Sequence, residues 1–326
     1  MRCIRIIKRI GTVSLCIMLT ASMMTGCSKK AASYAAEYEQ ENYNKSLYQG
    51  ELFASDLCVS AGDVAMDGYT ADSSFHAEGL FDIKDSQILY SDKAFDRLYP
   101  ASTTKILTAY LALKYGNLDD VVTVSANAVD FEADAQVCGL QAGDQLTLYD
   151  LLAGLLLYSG NDNAAAIAEH ISGSEEAFVN QMNQEAWNMG ATQTHFVNPH
   201  GLHDPDHYTT AYDLYLMFNA CVKDQRFIDI ISMDAYNASI TGADGTVRTQ
   251  QWAPTNYYSA GETPQPAGTD VLGGKTGTTD EAGSCVVLYE LDSEGKPYIS
   301  VVMGAEDKDS LYNETTRLLE TGLGSD

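Results

Sequence analysis

At 326 residues and 35.3 kDa the chain is long enough for one large domain or two ordinary ones, and 45% apolar with 20% charged residues is the mix of a folded globular protein. The 19 Lys and Arg are outnumbered by 45 Asp and Glu, a net charge of −26. That balance argues against nucleic acid as a partner, because phosphates need a cationic face. It favours solubility and carries no information about the fold.

The chain opens on a basic stretch (Arg2, Arg5, Lys8, Arg9), followed by an apolar run from Ile10 to Met24, then Thr25, Gly26 and Cys27. This is the pattern of a secretory signal ending as a bacterial lipoprotein signal does, so residues 1–27 are expected to be a leader and Cys27 the lipidated first residue of the mature chain. Met24 stands where such signals usually carry Leu, which leaves a plain signal peptide or an uncleaved anchor helix as alternatives. A lipid on Cys27 predicts an extracytoplasmic protein held on the outer face of the bacterial cell membrane. Residues 28–50 are polar and dotted with Tyr, without periodicity, and read as a flexible tether; residues 51–326 read as the folded domain. Four cysteines lie in that domain: Cys58, Cys138, Cys221 and Cys285. In an exported chain they can pair, or they can remain as buried thiols.

Within the domain, residues 78–91 read as two short strands around a polar turn. Pro100 precedes a helix over 102–115 that stops at Gly116. Thr147 with Asp150 opens a helix through Tyr158, apolar almost throughout and so buried. Further helices are expected over 163–171, 174–189 and 210–222, strands over 271–278, 284–291 and 298–304, and a last helix over 309–322. Strands at both ends with helices between predict an α+β fold. Its antiparallel sheet is built from the two chain ends, flanked by helices, with an inserted helical lobe and a site at the seam.

Three short segments carry the chemistry. In YPASTTK, residues 99–105, a serine and a lysine three apart at a helix start share one face. Ser102 would be a nucleophile only with a base beside it, and Lys105 can be that base only if desolvation or nearby cations lower its pKa. In SGN, residues 159–161, Ser159 could relay a proton and Asn161 could hold substrate and lysine. In KTGTT, residues 275–279, Lys275 can attract a substrate carboxylate, while glycines let a peptide lie against the strand. Each has an ordinary reading when isolated: a helix cap, a helix-ending turn, a solvated lysine.

The ordered triple SxxK, SxN, KTG resembles the penicillin-binding protein and serine β-lactamase superfamily. YPASTTKILTA, LLLYSGNDNAAAIAE, NPHGLHDPDHYTTAYDL and GGKTGTTDEAGSC look like the low-molecular-mass D-alanyl-D-alanine carboxypeptidases. The resemblance implies a β-lactamase/transpeptidase-like fold and a penicillin-sensitive serine peptidase that trims the terminal D-alanine of peptidoglycan stem peptides through an acyl-enzyme. It implies Ser102 as nucleophile, Lys105 as base, Ser159 and Asn161 in proton relay and substrate contact, and Lys275 and Thr276 at the carboxylate. The backbone N–H groups of Ser102 and Thr278 would form the oxyanion hole beside Gly277. Stem peptides ending in D-Ala-D-Ala are then the substrate and β-lactams the covalent inhibitors, with no cofactor and no metal. Family members often carry a C-terminal β-domain and an amphipathic anchor helix, and neither is expected here. The arginine that helps read the carboxylate is expected upstream of KTG, where Arg248 is the nearest candidate.

Three other readings follow from the same residues. His195, His200, His203 and His207 with Asp204 and Asp206 resemble a metal cluster, but their spacing fits no standard zinc pattern. A class A-like β-lactamase needs a deacylating Glu in an ExxxN segment, which is not found at the required offset. A catalytically inactive peptidoglycan-binding lipoprotein would keep the fold without the chemistry.

Overall fold

The structure, a computed structural model, describes residue 54 and residues 56–324; the leader, Cys27 and the tether lie outside the described residues. Both chain ends build the main sheet. Strands β1 (Ala77–Asp82) and β2 (Gln87–Asp92) come from the start of the domain. From its end come β7 (Thr269–Thr279), β8 (Gly283–Asp292) and β9 (Pro297–Ala305). They pair into the expected antiparallel sheet of both chain ends, in the order β2-β1-β9-β8-β7, which leaves β7 at an edge.

The period-2 alternation of these strands divides the core in two. Val286, Leu288, Leu80 and Val302 face one side, against Leu311, Leu318 and Leu319 of helix α8 (Lys308–Leu323). Cys285, Val287, Ile299, Val301 and Phe81 face the other, towards the inserted lobe. There Phe81 stacks on Tyr215 of α5 (Ala211–Cys221) with ring centroids 4.1 Å apart. The helix α1 (Lys105–Tyr115) is buried on almost every side, as its largely apolar sequence requires, and forms the axis on which the lobe packs.

Around α1 lie α2 (Leu148–Ala153), α3 (Asn161–Ser172), α4 (Glu175–Asn188) and α6 (Gln225–Ile231). The anticipated capping box of Thr147 and Asp150 starts α2, but the helix continues over Gly154–Tyr158 as a single π turn. The lobe is not purely helical. A second antiparallel sheet, in the order β3-β4-β5-β6, stands within it: Val121–Thr123, Gln145–Thr147, Tyr236–Thr241 and Val247–Trp252. A one-turn helix α7 (Tyr257–Ala260) then leads towards β7. Cys58, Cys138, Cys221 and Cys285 are all free and buried, which decides the open question in favour of small apolar thiols. Among the described residues no helix is long and apolar enough to cross a membrane.

Candidate active site

Ser102 does not begin an α-helix. Ala101–Thr104 form a 3-10 turn and α1 starts at Lys105. The turn is tightened by its own threonines, whose hydroxyls donate to Pro100 O (2.6 Å) and Ala101 O (2.8 Å). Ala101 takes φ +48°, a left-handed conformation that costs a non-glycine residue about 1–2 kcal/mol. The geometry has a consequence for chemistry: in a 3-10 turn side chains three apart eclipse. Lys105 Nζ accordingly lies 2.9 Å from Ser102 Oγ.

Lys105 is fully buried. Burial, and secondly the positive field of Lys275, hold its pKa well below the ordinary lysine value. Its Nζ also donates to Asn161 Oδ1 (2.6 Å) and to the carbonyl of His200 (2.6 Å). Those two oxygens can only accept, so in the neutral amine they occupy both N–H bonds. The lone pair is then left for the hydroxyl proton of Ser102.

Ser159 ends the π turn at φ +67° and presents its hydroxyl to Lys275 Nζ, which donates to Ser159 Oγ at 2.8 Å and to Thr276 O at 2.8 Å. Between Ser159 and Asn161 only glycine fits, because a Cβ on Gly160 would come within 2.5 Å of Asn163 Oδ1 and 2.6 Å of Cys138 Sγ. Lys275 is also fully buried, and its pKa is lowered to about 7 by burial and then by Lys308. On β7, Gly277 allows the strand to pass close beside the serine turn: a Cβ there would sit 2.9 Å from both Pro100 O and Ser102 N.

These groups line one cleft of about 380 Å³ at the seam of sheet and lobe, which Ser102, Ser159, Asn161, Thr276, Gly277 and Thr278 share. All the residues anticipated from the three motifs are therefore together, except that Lys105 and Lys275 stand just behind the lining. Arg248 is not among them. It sits on β6, held in a two-pronged ion pair by the buried Asp144, and does not line the cleft. The cation that does is Lys308 at the start of α8, with its ammonium 5.2 Å from the Tyr257 ring centre. Sequence reasoning missed it, since nothing local to Lys308 distinguishes it from a solvated helix-end lysine.

The histidine-rich segment supports the site through its backbone and rings. Val197 N–H donates to His207 Nδ1 (3.1 Å), which fixes the proton on Nε2, and that nitrogen lies 2.8 Å from Thr104 Oγ1. Thr104 in turn donates to Ala101 O, so the chain of bonds pins the left-handed residue ahead of Ser102. Burial lowers the pKa of His207 to about 4 and that of His200 to about 3, keeping both neutral. Among the described residues no group of His, Cys, Asp and Glu could hold a metal.

A five-stranded antiparallel sheet with helices on both faces and an inserted lobe, carrying a serine–lysine pair at the seam, is the transpeptidase and β-lactamase fold. The Streptomyces K15 DD-transpeptidase has this fold with a TM-score of 0.72 at 28% identity, over 79% of this chain and 100% of that one. A D-alanyl-D-alanine carboxypeptidase from Mycobacterium tuberculosis gives 0.70 at 27% identity, over 82% and 96%. The family of D-alanyl-D-alanine carboxypeptidases matches residues 70–307, and the chain belongs to it, among the low-molecular-mass penicillin-binding proteins. The D-alanyl-D-alanine carboxypeptidase DacC of Escherichia coli is 32% identical over 75% of this chain, and DacF of Bacillus subtilis 32% over 72%. The chain spans 60% and 58% of the length of those two relatives.

Proposed function

We propose that this chain is a serine D-alanyl-D-alanine carboxypeptidase acting on peptidoglycan stem peptides. The observation that carries the reading is the setting of Lys105: buried, with its N–H bonds taken by two acceptor-only oxygens and Ser102 Oγ at 2.9 Å. The terminal carboxylate meets Lys275, Thr276 and Lys308. Ser102 Oγ bonds to the scissile carbonyl carbon as Lys105 takes its proton. The N–H groups of Ser102 and Thr278 hold the oxyanion, a contribution of about 3–4 kcal/mol per donor. When the C–N bond breaks, the proton held by Lys105 is relayed through Ser159 to the leaving amine, so D-alanine departs with Lys105 neutral and the Ser159 hydroxyl restored. Water then attacks the ester as Lys105 takes its proton, the acyl–Oγ bond breaks, and Lys105 returns that proton to Ser102 Oγ as the shortened peptide leaves.

Names among the similar proteins divide between carboxypeptidase and DD-transpeptidase; we take water as the acceptor on the names of the curated relatives. A class A-like β-lactamase is disfavoured because no glutamate lines the cleft among the described residues. A β-lactam would instead acylate Ser102 and leave slowly. The same reading takes residues 1–27 as a lipoprotein signal, 28–50 as a tether and 51–326 as the catalytic domain, with Cys27 lipidated and the enzyme extracytoplasmic at the membrane. The mature chain from cells should then outweigh residues 27–326 by a diacylglycerol group, and an unmodified mass would remove that part of the proposal. For the activity, incubation with an N-acylated peptide ending in D-Ala-D-Ala should release free D-alanine. Release that is absent, or that persists in Ser102→Ala, would overturn it.

A further inference from the structure

Lys308 lines the cleft with Thr255, Thr276 and Thr278, yet nothing in its own helix accounts for its place there. It is the first residue of α8, directly after the Asp307 cap, and a cation in the first turn opposes the helix dipole. Among the described residues no carboxylate oxygen comes within 4 Å of its ammonium. Arg248 shows the alternative: paired with Asp144, its charge is already matched within the protein.

What holds Lys308 is a ring. Its ammonium lies 5.2 Å from the centre of the Tyr257 ring. That ring is itself fixed, because it stacks on Tyr312 with centroids 4.6 Å apart and planes 10° from parallel. Tyr312 stands one turn beyond Lys308 on α8, so the two side chains leave the same face of the helix. It is buried, and its hydroxyl accepts from Tyr257 N–H (3.0 Å) and donates to Asn256 Oδ1 (3.2 Å). Two residues before Tyr257, Thr255 Oγ1 lies 2.6 Å from Thr276 Oγ1. Residues 255–257 therefore touch both polar groups that meet a terminal carboxylate, the hydroxyl of Thr276 and the ammonium of Lys308.

A ring and a carboxylate hold a cation with different consequences. A free lysine loses rotamer freedom when it binds an anion, so holding it beforehand lowers the cost of binding. A carboxylate would hold it too, but would cancel the charge and compete with the substrate. An aromatic face attracts the ammonium and leaves its charge whole.

We propose that Tyr257, backed by Tyr312, is a positioning residue for the substrate's terminal carboxylate, presenting the Lys308 ammonium to the cleft with its charge unopposed. The proposal rests on the carboxypeptidase reading above.

The test measures KM and kcat of the full-length chain for an N-acylated peptide ending in D-Ala-D-Ala, reading D-alanine release. Tyr257→Leu should raise KM about threefold, the size of one exposed cation–π contact, while kcat stays near that of the parent and reports that the variant is folded. Combined with Lys308→Gln it should add nothing to the loss that Lys308→Gln causes alone, because both remove the same contact. Tyr257→Phe keeps the ring and should restore the parent KM. A ring-fluorinated phenylalanine at the same position keeps the shape but weakens the quadrupole, and should raise KM again. That pair of rings decides the matter if the leucine variant does not fold. An unchanged KM with the fluorinated ring, a full additional loss in the double variant, or a Lys308→Gln variant with the parent KM would overturn the positioning role while leaving the carboxypeptidase intact. No D-alanine released by the parent chain would overturn both.

Discussion

The seam around Ser102 and the far face of the five-stranded sheet both bury ionisable side chains, yet only the seam opens to solvent. On the far face Glu78 is fully buried on β1. Tyr69 Oη lies 2.6 Å from Glu78 Oε2 and 2.7 Å from Glu314 Oε1. A phenol has one proton, so one of these contacts needs a carboxyl proton. Arg317 pairs with Glu314, which leaves Glu78 as the acid that donates to Tyr69. Burial, with Glu314 adding to it, raises the Glu78 pKa accordingly. Glu290, fully buried on β8, is pushed well above the carboxylate range by burial as well. Burial favours the neutral form in both regions. What differs is the arrangement of acceptors: around Lys105 they leave a lone pair aimed at a hydroxyl beside a cleft, whereas around Glu78 they close the proton inside the core. Neutrality becomes reactivity only in the first case.

The comparison can be broken at several points, beginning with the largest effect. Lys105→Ala removes the lone pair and should slow acylation of Ser102 by penicillin on the order of 10³-fold or more, as losses of a catalytic base do. Stopped-flow or quenched mass measurements would read this, and a rate within a few-fold of the parent would exclude Lys105 as base. Lys308→Gln should raise KM for the peptide about tenfold with little change in kcat, because a terminal carboxylate is held alike in ground and transition states. An Arg248→Gln variant should leave KM unmoved, since that guanidinium belongs to Asp144.

The two regions should also tilt stability with pH in opposite directions. Glu78, raised from 4.5 to about 8, keeps in the folded state a proton that the unfolded chain has lost. Stability therefore falls as pH climbs through that window, by at most about 1.4 kcal/mol per pH unit. Lys275, lowered from 10.5 to about 7, has lost a proton that the unfolded chain still binds, so it makes stability rise with pH across its own window. Urea unfolding at a series of pH values should show the falling limb flattened in Glu78→Gln and the rising limb flattened in Lys275→Met. Parallel shifts without a change of slope would mean that neither group titrates as described.

Much of this was legible in the sequence because the signals are local. SxxK, SxN and KTG each fix a turn or strand of a few residues, and the strands 271–278, 284–291 and 298–304 lie within two residues of their observed bounds. The small sheet was not legible. Its strands Val121–Thr123 and Gln145–Thr147 have three residues each, and Tyr236–Thr241 buries only Ala238 and Ile240, too weak an alternation to stand out. The 3-10 turn was hidden because its cause, the left-handed Ala101, is imposed by partners distant in the chain, His207 among them. Lys308 and Arg248 exchanged places for the same reason: which cation faces the cleft is decided by Asp144 and Tyr257, not by distance from KTG.

The most direct test of the account is the pH dependence of Ser102 acylation by penicillin, with the adduct mapped by mass. A buried, neutral Lys105 predicts a rate that is already at its plateau near neutral pH, with any acidic limb far below the ordinary lysine value of 10.5. A rate that instead climbs with a midpoint near 10.5 would show Lys105 charged at neutral pH, and the base would have to be sought elsewhere.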